Sequence, residues 1–151
     1  MRKKIKDRFQ ITFILALFFV IAGLVGCGAG VGKTVISKPD EYIHNYDAKE
    51  KFILRAIAKV FKEKNMGTSI KIDEEKQIVE TDYLIQNDWR TKSTARVKKL
   101  NWKEREVSLS VITEKKTATG WEMRRLLEKE QYMKIFDTID LKIYEEMYKI
   151  E

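Results

Sequence analysis

The chain contains one cysteine, Cys27, and one histidine, His44. Those two counts limit its chemistry. A single thiol allows no internal disulfide, so Cys27 is either free, paired with another chain or chemically modified. A lone histidine makes no two-histidine metal site, and it serves a Ser-His-Asp arrangement only as the one base. Glu80 and Asp82 stand two residues apart, which puts both carboxylates on one face of an extended strand, where a hydrolase could use them as acid and base. Ser108 and Ser110 show the same alternation and lack the G-x-S-x-G elbow that exposes a nucleophile. Gly28-Ala29-Gly30-Val31-Gly32-Lys33-Thr34 ends like a phosphate-binding loop. The first glycine of that pattern, however, falls on Cys27. Val35 to Pro39 then shows no helical periodicity, so no helix N-terminus is offered to phosphate. No nucleotide, cofactor or metal site is expected. Trp89-Arg90, beside the Asn87-Asp88 loop, is the remaining candidate surface, since Trp and Arg are favoured anchors at protein interfaces and suit planar or anionic ligands.

Cys27 has a distinctive setting. Arg2, Lys3, Lys4, Lys6 and Arg8 form a basic start, diluted only by Asp7, and an apolar run from Ile11 to Val25 follows. That run of about 15 residues suits the core of a signal peptide and falls short of the roughly 20 needed to cross a bilayer. It ends in Leu24-Val25-Gly26-Cys27, which resembles the lipobox of bacterial lipoprotein precursors at all four positions. The resemblance covers about the first 28 residues. It implies cleavage after Gly26 and diacylglycerol on the Cys27 sulfur. An uncleaved anchor is the rival reading, because the uncharged stretch continues to Gly32. Its four glycines between 26 and 32 disfavour a helix there. Both readings place the basic start in the cytoplasm and the rest of the chain outside it.

Lipidation would consume the only thiol. Several acyl chains also hold a protein far more firmly than the single chain that binds only marginally. Processing changes the charge as well. The whole chain carries 30 basic and 23 acidic residues, for a net +7, whereas residues 27–151 keep 25 and 22. That balance gives no clustered basic excess of the kind nucleic-acid binding requires. Arg96, Lys98 and Lys99 read as a solvated face among acids.

Stepping along the chain gives the elements that would hold these residues. Residues 27–46 read as the lipidated cysteine and a flexible tether, and 47–151 as a single domain. Asp47 is expected to cap a first helix with Glu50 three positions on. Phe52, Ile53, Ala56, Ile57, Val60 and Phe61 make its apolar stripe, and Gly67 suits its left-handed end. The period then changes to two. Strands are expected at 69–73, 77–86, 91–102 and 105–113, joined by connections too short for parallel crossovers. After Gly120, Met123, Leu126, Leu127 and Glu130 suggest a short helical segment. Ile135, Phe136, Ile139, Ile143, Met147 and Ile150 then mark a helix of about 15 to 20 residues. The expected fold is α+β: a helix, a four-stranded antiparallel meander and a C-terminal helix, with the helices on one sheet face.

That order loosely resembles the helix-grip domains of outer-membrane assembly lipoproteins, through the element sequence and Ile78-Val79-Glu80-Thr81-Asp82-Tyr83. A small domain with no catalytic constellation, tethered to a membrane by a glycine-rich segment, is read as a non-catalytic interaction module in envelope assembly or transport, with an envelope protein as its expected partner. An envelope hydrolase or a sugar- or anion-binding lipoprotein is the alternative. In diderm lipoproteins an Asp directly after the lipidated Cys favours inner-membrane retention. Gly28 stands there instead, so the periplasmic face of the outer membrane is expected, or the outer face of the cytoplasmic membrane in an organism with only one.

Overall fold

The computed structural model describes residues 32–149, so the leader, Cys27 and Ile150 lie outside the described residues. In chain order the elements are β1 (Glu41–Tyr46), α1 (Glu50–Glu63), β2 (Thr68–Asp73), β3 (Ile78–Asp82), β4 (Leu84–Gln86), β5 (Trp89–Lys99), β6 (Arg105–Thr117), β7 (Gly120–Met123) and α2 (Lys129–Tyr148). The α+β class holds, but the sheet has seven strands, where four were expected. The expected meander is present as β2, β3, β5 and β6, with each neighbouring pair antiparallel. Two long strands, β5 and β6, form its spine. Each is flanked by two shorter strands, one along each half: β3 and β4 beside β5, and β1 and β7 beside β6.

Three differences from the sequence reading have clear causes. First, β1 forms within the segment read as tether. Tyr42, His44 and Tyr46 alternate with Glu41, Ile43 and Asn45, and this period of two is spent on aromatics that face the helices. Second, the strand expected at 77–86 breaks at Tyr83 into β3 and β4. There Thr81 Oγ1 accepts the Ser93 N–H at 2.9 Å, so a side chain bridges the gap that opens in the backbone ladder. Third, the short helix expected around Leu126 is absent. Gly120–Met123 folds back on β6 as β7, and the chain then runs irregularly to Glu128.

The ends of α1 also differ. Asp47 does not cap it; it pairs with Lys103, and Glu50 pairs with Arg105 at 2.6 Å. At the other end Asn65 (φ 50°), and not Gly67, takes the left-handed position. The Met66 N–H donates to Phe61 O and the Asn65 N–H to Lys62 O, the paired bonds of a Schellman ending. Gly67 is needed for a different reason. A Cβ there would lie 1.9 Å from Thr81 Oγ1 and 2.9 Å from Asp82 O, so the chain crosses the β3 break at a distance only glycine allows.

Both helices contribute to one core on one side of the sheet. Ile53, Ile57, Val60 and Phe61 from α1 and Phe136 and Ile139 from α2 are fully buried against Val79, Ala95, Val107 and Leu109. The α2 stripe therefore does what its spacing predicts, with Tyr132 added at its start. Burial pushes the Tyr132 phenol up to about 12, and its oxygen accepts the Val111 N–H at 3.2 Å. Tyr46 is likewise raised by burial, and its hydroxyl donates to Phe136 O at 2.8 Å, which ties β1 to α2.

Candidate functional site

Trp89 and Arg90 are neighbours in β5, so they point to opposite faces of the sheet. They do not form one surface. The two-residue turn Asn87-Asp88, with Asn87 at φ 54°, joins β4 to β5 and starts the strand at Trp89, so neither residue lies in a loop. Arg90 belongs to the face turned away from the helices. Its Nε donates to Glu114 at 2.5 Å, and its guanidinium lies 4.3 Å from the Tyr83 ring and 4.4 Å from the Trp121 ring. A planar cation held between two aromatic faces and a carboxylate has its attractions satisfied. The Tyr83 phenol is raised first by burial and then by its hydrogen bond to Glu114.

Trp89 points to the other side. A Cβ placed on Gly32 would come within 2.8 Å of both Trp89 and Leu126, so the backbone of Gly32 lies against these two side chains. Lys115 sits over the indole at 5.6 Å. The segment after Gly32 is held as firmly. Ile36 N donates to Met123 O, Arg125 N donates to Thr34 O, and Arg125 grips the Asp40 carboxylate through two nitrogens at 2.7 and 2.9 Å. Residues 32–40, read from sequence as flexible, are in fact docked on the chain that follows β7. The pairing is non-local, joining residues about 90 apart, and no local pattern reveals it.

The other sequence candidates are dispersed. Glu80 and Asp82 are both exposed on the outer face, and Asp82 pairs with Lys71 at 3.2 Å. Ser108 and Ser110 lie on that face too, near Thr94, Arg96, Pro39 and Glu41, around a shallow hollow of about 240 Å³. His44 faces the helices and stacks on Phe136 with ring centres 5.3 Å apart, so the sheet separates it from both serines. Among the described residues no three His, Cys, Asp or Glu side chains stand close enough to hold a metal ion. No helix among them is long and apolar enough to cross a membrane.

Two features were missed from sequence. Trp102 was expected in a strand; β5 ends at Lys99, and Trp102 stands 85% exposed in the β5–β6 loop beside the exposed Leu100. The loop itself is well made, because the Asn101 side-chain oxygen accepts the N–H groups of Lys103 and Glu104, both at 2.8 Å. The second feature is a pocket of about 340 Å³ on the helix side, between the end of α1, the spine strands and the start of α2. Met66, Val111, Leu126, Leu127 and Ile135 give it an apolar wall. Lys64 and Lys134 stand among its lining residues, and no acidic residue does. The only sequence signal was Leu126-Leu127, which the sequence reading spent on a short helix that does not form. No protein-family pattern matches the chain, and no curated protein matches it in sequence.

Proposed function

We propose that this chain is a bacterial envelope lipoprotein, cleaved after Gly26 and held by lipid on Cys27, whose domain is a non-catalytic interaction module. The observation that carries the reading is Leu24-Val25-Gly26-Cys27 at the end of a basic and then apolar leader. Gly28 favours the periplasmic face of the outer membrane in a diderm cell. The docking of residues 32–40 supports an oriented module. Only four residues lie between Cys27 and Gly32, so the five backbone steps reach at most about 18 Å. The Trp89 end of the sheet then lies near the membrane. The β5–β6 loop is one strand length away, roughly 35 Å for β5, and it presents Trp102 and Leu100 outward. An exposed Trp at a rigid tip suits contact with an envelope protein better than the engaged Trp89 and Arg90 do.

The test follows the protein in its own envelope. The native chain should label with a fatty-acid analogue, whereas Cys27→Ser should stay unlabelled and uncleaved. Crosslinking from intact envelopes should capture a partner that Trp102→Ala loses and Glu80→Gln/Asp82→Asn keeps. A Cys27→Ser protein that still runs at mature size with unchanged labelling would refute the anchor. A phenotype abolished only by the carboxylate change, with no partner captured, would favour the envelope hydrolase or sugar-binding alternative.

A further inference from the structure

The helix-side pocket has the makings of a ligand site, and its position does not depend on the lipid anchor. Its wall is open to solvent where it matters: Val111, Leu126 and Leu127 are only half-buried, although their neighbours Met66 and Ile135 are buried. Three half-buried aliphatic side chains around one hollow leave apolar surface that a ligand would cover. The volume is substantial. A cavity of about 150 Å³ holds benzene, so by proportion 340 Å³ holds roughly a dozen carbons. Polar side chains complete the lining. Lys64 and Lys134 are exposed and, among the described residues, make no ion pair, while Asn65 and Gln131 add neutral hydrogen-bonding groups beside them. The lining carries two positive charges and no negative one.

We propose that this pocket binds a single acyl chain bearing an anionic head group, with the chain along Val111, Leu126, Leu127 and Ile135 and the head group at Lys64 and Lys134. Lys64 stands at the end of α1 and Lys134 in the first turns of α2, so two elements each bring one cation to the lining. A neutral apolar ligand would leave both cations without a use. A small free anion would leave the aliphatic wall wet. An amphiphile satisfies both.

Residues 31–151 suit the test, because they form one compact unit that contains the core found among the described residues. The probes are dodecanoate, decanoate and dodecanol, each below its micellar concentration, followed by calorimetry and by amide NMR shifts. Dodecanoate is expected to bind one per chain, with shifts centred on Val111, Leu127 and Ile135. Decanoate should bind more weakly by about fourfold for each methylene removed. Lys64→Glu/Lys134→Glu lies on the surface and should weaken dodecanoate about tenfold while leaving dodecanol unchanged. Thr91→Phe, which fills the pocket, should abolish both, and its thermal unfolding reports separately whether the fold survives. Multiple weak binding without localised shifts would overturn the proposal. So would dodecanoate affinity that ignores the lysine reversals, or binding retained in a folded Thr91→Phe protein. None of these results bears on lipidation at Cys27, so the anchor and the pocket stand or fall separately.

Discussion

Replacing Gly67 with alanine should be among the most damaging single changes outside the hydrophobic core. Gly67 sits at φ 148°, a conformation that side chains rarely adopt, and such positions cost about 1–3 kcal/mol for other residues. The new methyl would lie 1.9 Å from Thr81 Oγ1 and 2.4 Å from Thr81 Cβ. Relief requires movement of a buried threonine, and overpacking of this kind costs about 1–3 kcal/mol more. Thr81 is not free to move, since it accepts the Ser93 N–H, and the Ser93 hydroxyl donates to Met66 O at 2.6 Å. Disturbing one of those buried bonds adds about 1 kcal/mol. The sum is about 3–7 kcal/mol, against a typical total stability of about 5–15. For a domain of about 120 residues the unfolding entropy near the midpoint is about 0.25 kcal/mol/K, so a 4 kcal/mol loss lowers Tm by about 16 °C. Gly120→Ala supplies the reference. Its φ is 136°, and a Cβ there meets nothing within 4 Å, so it should lose only the backbone share. Thermal and urea unfolding of both variants separates the two contributions. If Gly67→Ala costs within about 0.5 kcal/mol of Gly120→Ala, the close crossing at Thr81 is not what selects glycine, and the account of the β3–β4 break fails with it.

Three further outcomes are expected. Lys59, and secondarily Lys149, hold the Glu146 carboxyl below its ordinary value, so its stabilisation is present above the unfolded-state value near 4.3 and is lost as pH falls through the lowered folded one. Glu146→Gln should therefore lose about 1 kcal/mol at pH 7, a figure kept low because Lys59 is one-third exposed, and should match the parent near pH 3 in urea titrations; an equal loss at both pH values would refute the ion pair as its source. Arg90→Ala strands Glu114, only 13% exposed, and should cost about 1–3 kcal/mol, with Arg90→Lys recovering little because an ammonium cannot stack between Tyr83 and Trp121; full recovery by lysine in denaturant unfolding would show that charge alone matters there. Trp89→Ala removes the surface on which Gly32 rests and should cost about 1–3 kcal/mol while speeding hydrogen exchange at Ile36 and Arg125; unchanged exchange would mean that the Asp40–Arg125 pair holds the segment without the indole.

Most of the meander was legible because its strands keep a strict period of two with short turns between them, as Val107, Leu109 and Val111 do along β6. The α2 stripe was legible for the corresponding reason at helical spacing. What escaped the sequence shares a different property: each missed element is defined by a partner distant in the chain. β1 finds its place only beside β6, some 65 residues on, and its core-facing Tyr42, His44 and Tyr46 alternate with the outward Glu41, Ile43 and Asn45 in a stretch too short to stand out from a loop. β7 holds only four residues, too few for a periodic signal, and its identity comes from pairing with the end of β6. Arg125 reads as an ordinary surface cation until the fold brings it to Asp40. Trp102 failed in the opposite direction. Leu100 and Trp102 alternate as a strand would, but Asn101 turns the chain between them, and local hydrogen bonding prevailed over the pattern.

The same contrast separates the proposed anchor from the proposed pocket. The resemblance to a lipobox rests on four adjacent residues, Leu24-Val25-Gly26-Cys27, and so can be read without the fold. A binding pocket is assembled from five separate stretches of chain, here 64–66, 91, 111–113, 126–127 and 131–135. None of those stretches is unusual alone. The pairing of Trp89 with Arg90 looked meaningful because the two are adjacent, yet adjacency in a strand is what sends them to opposite faces. Trp89 is then used to seat the entering chain at Gly32, and Arg90 is used to close a contact between two aromatic rings and Glu114. Function on this domain is better sought where structure leaves groups unsatisfied: the bare indole of Trp102 at one end, and at the other a half-open aliphatic hollow with two lysines and no counter-charge.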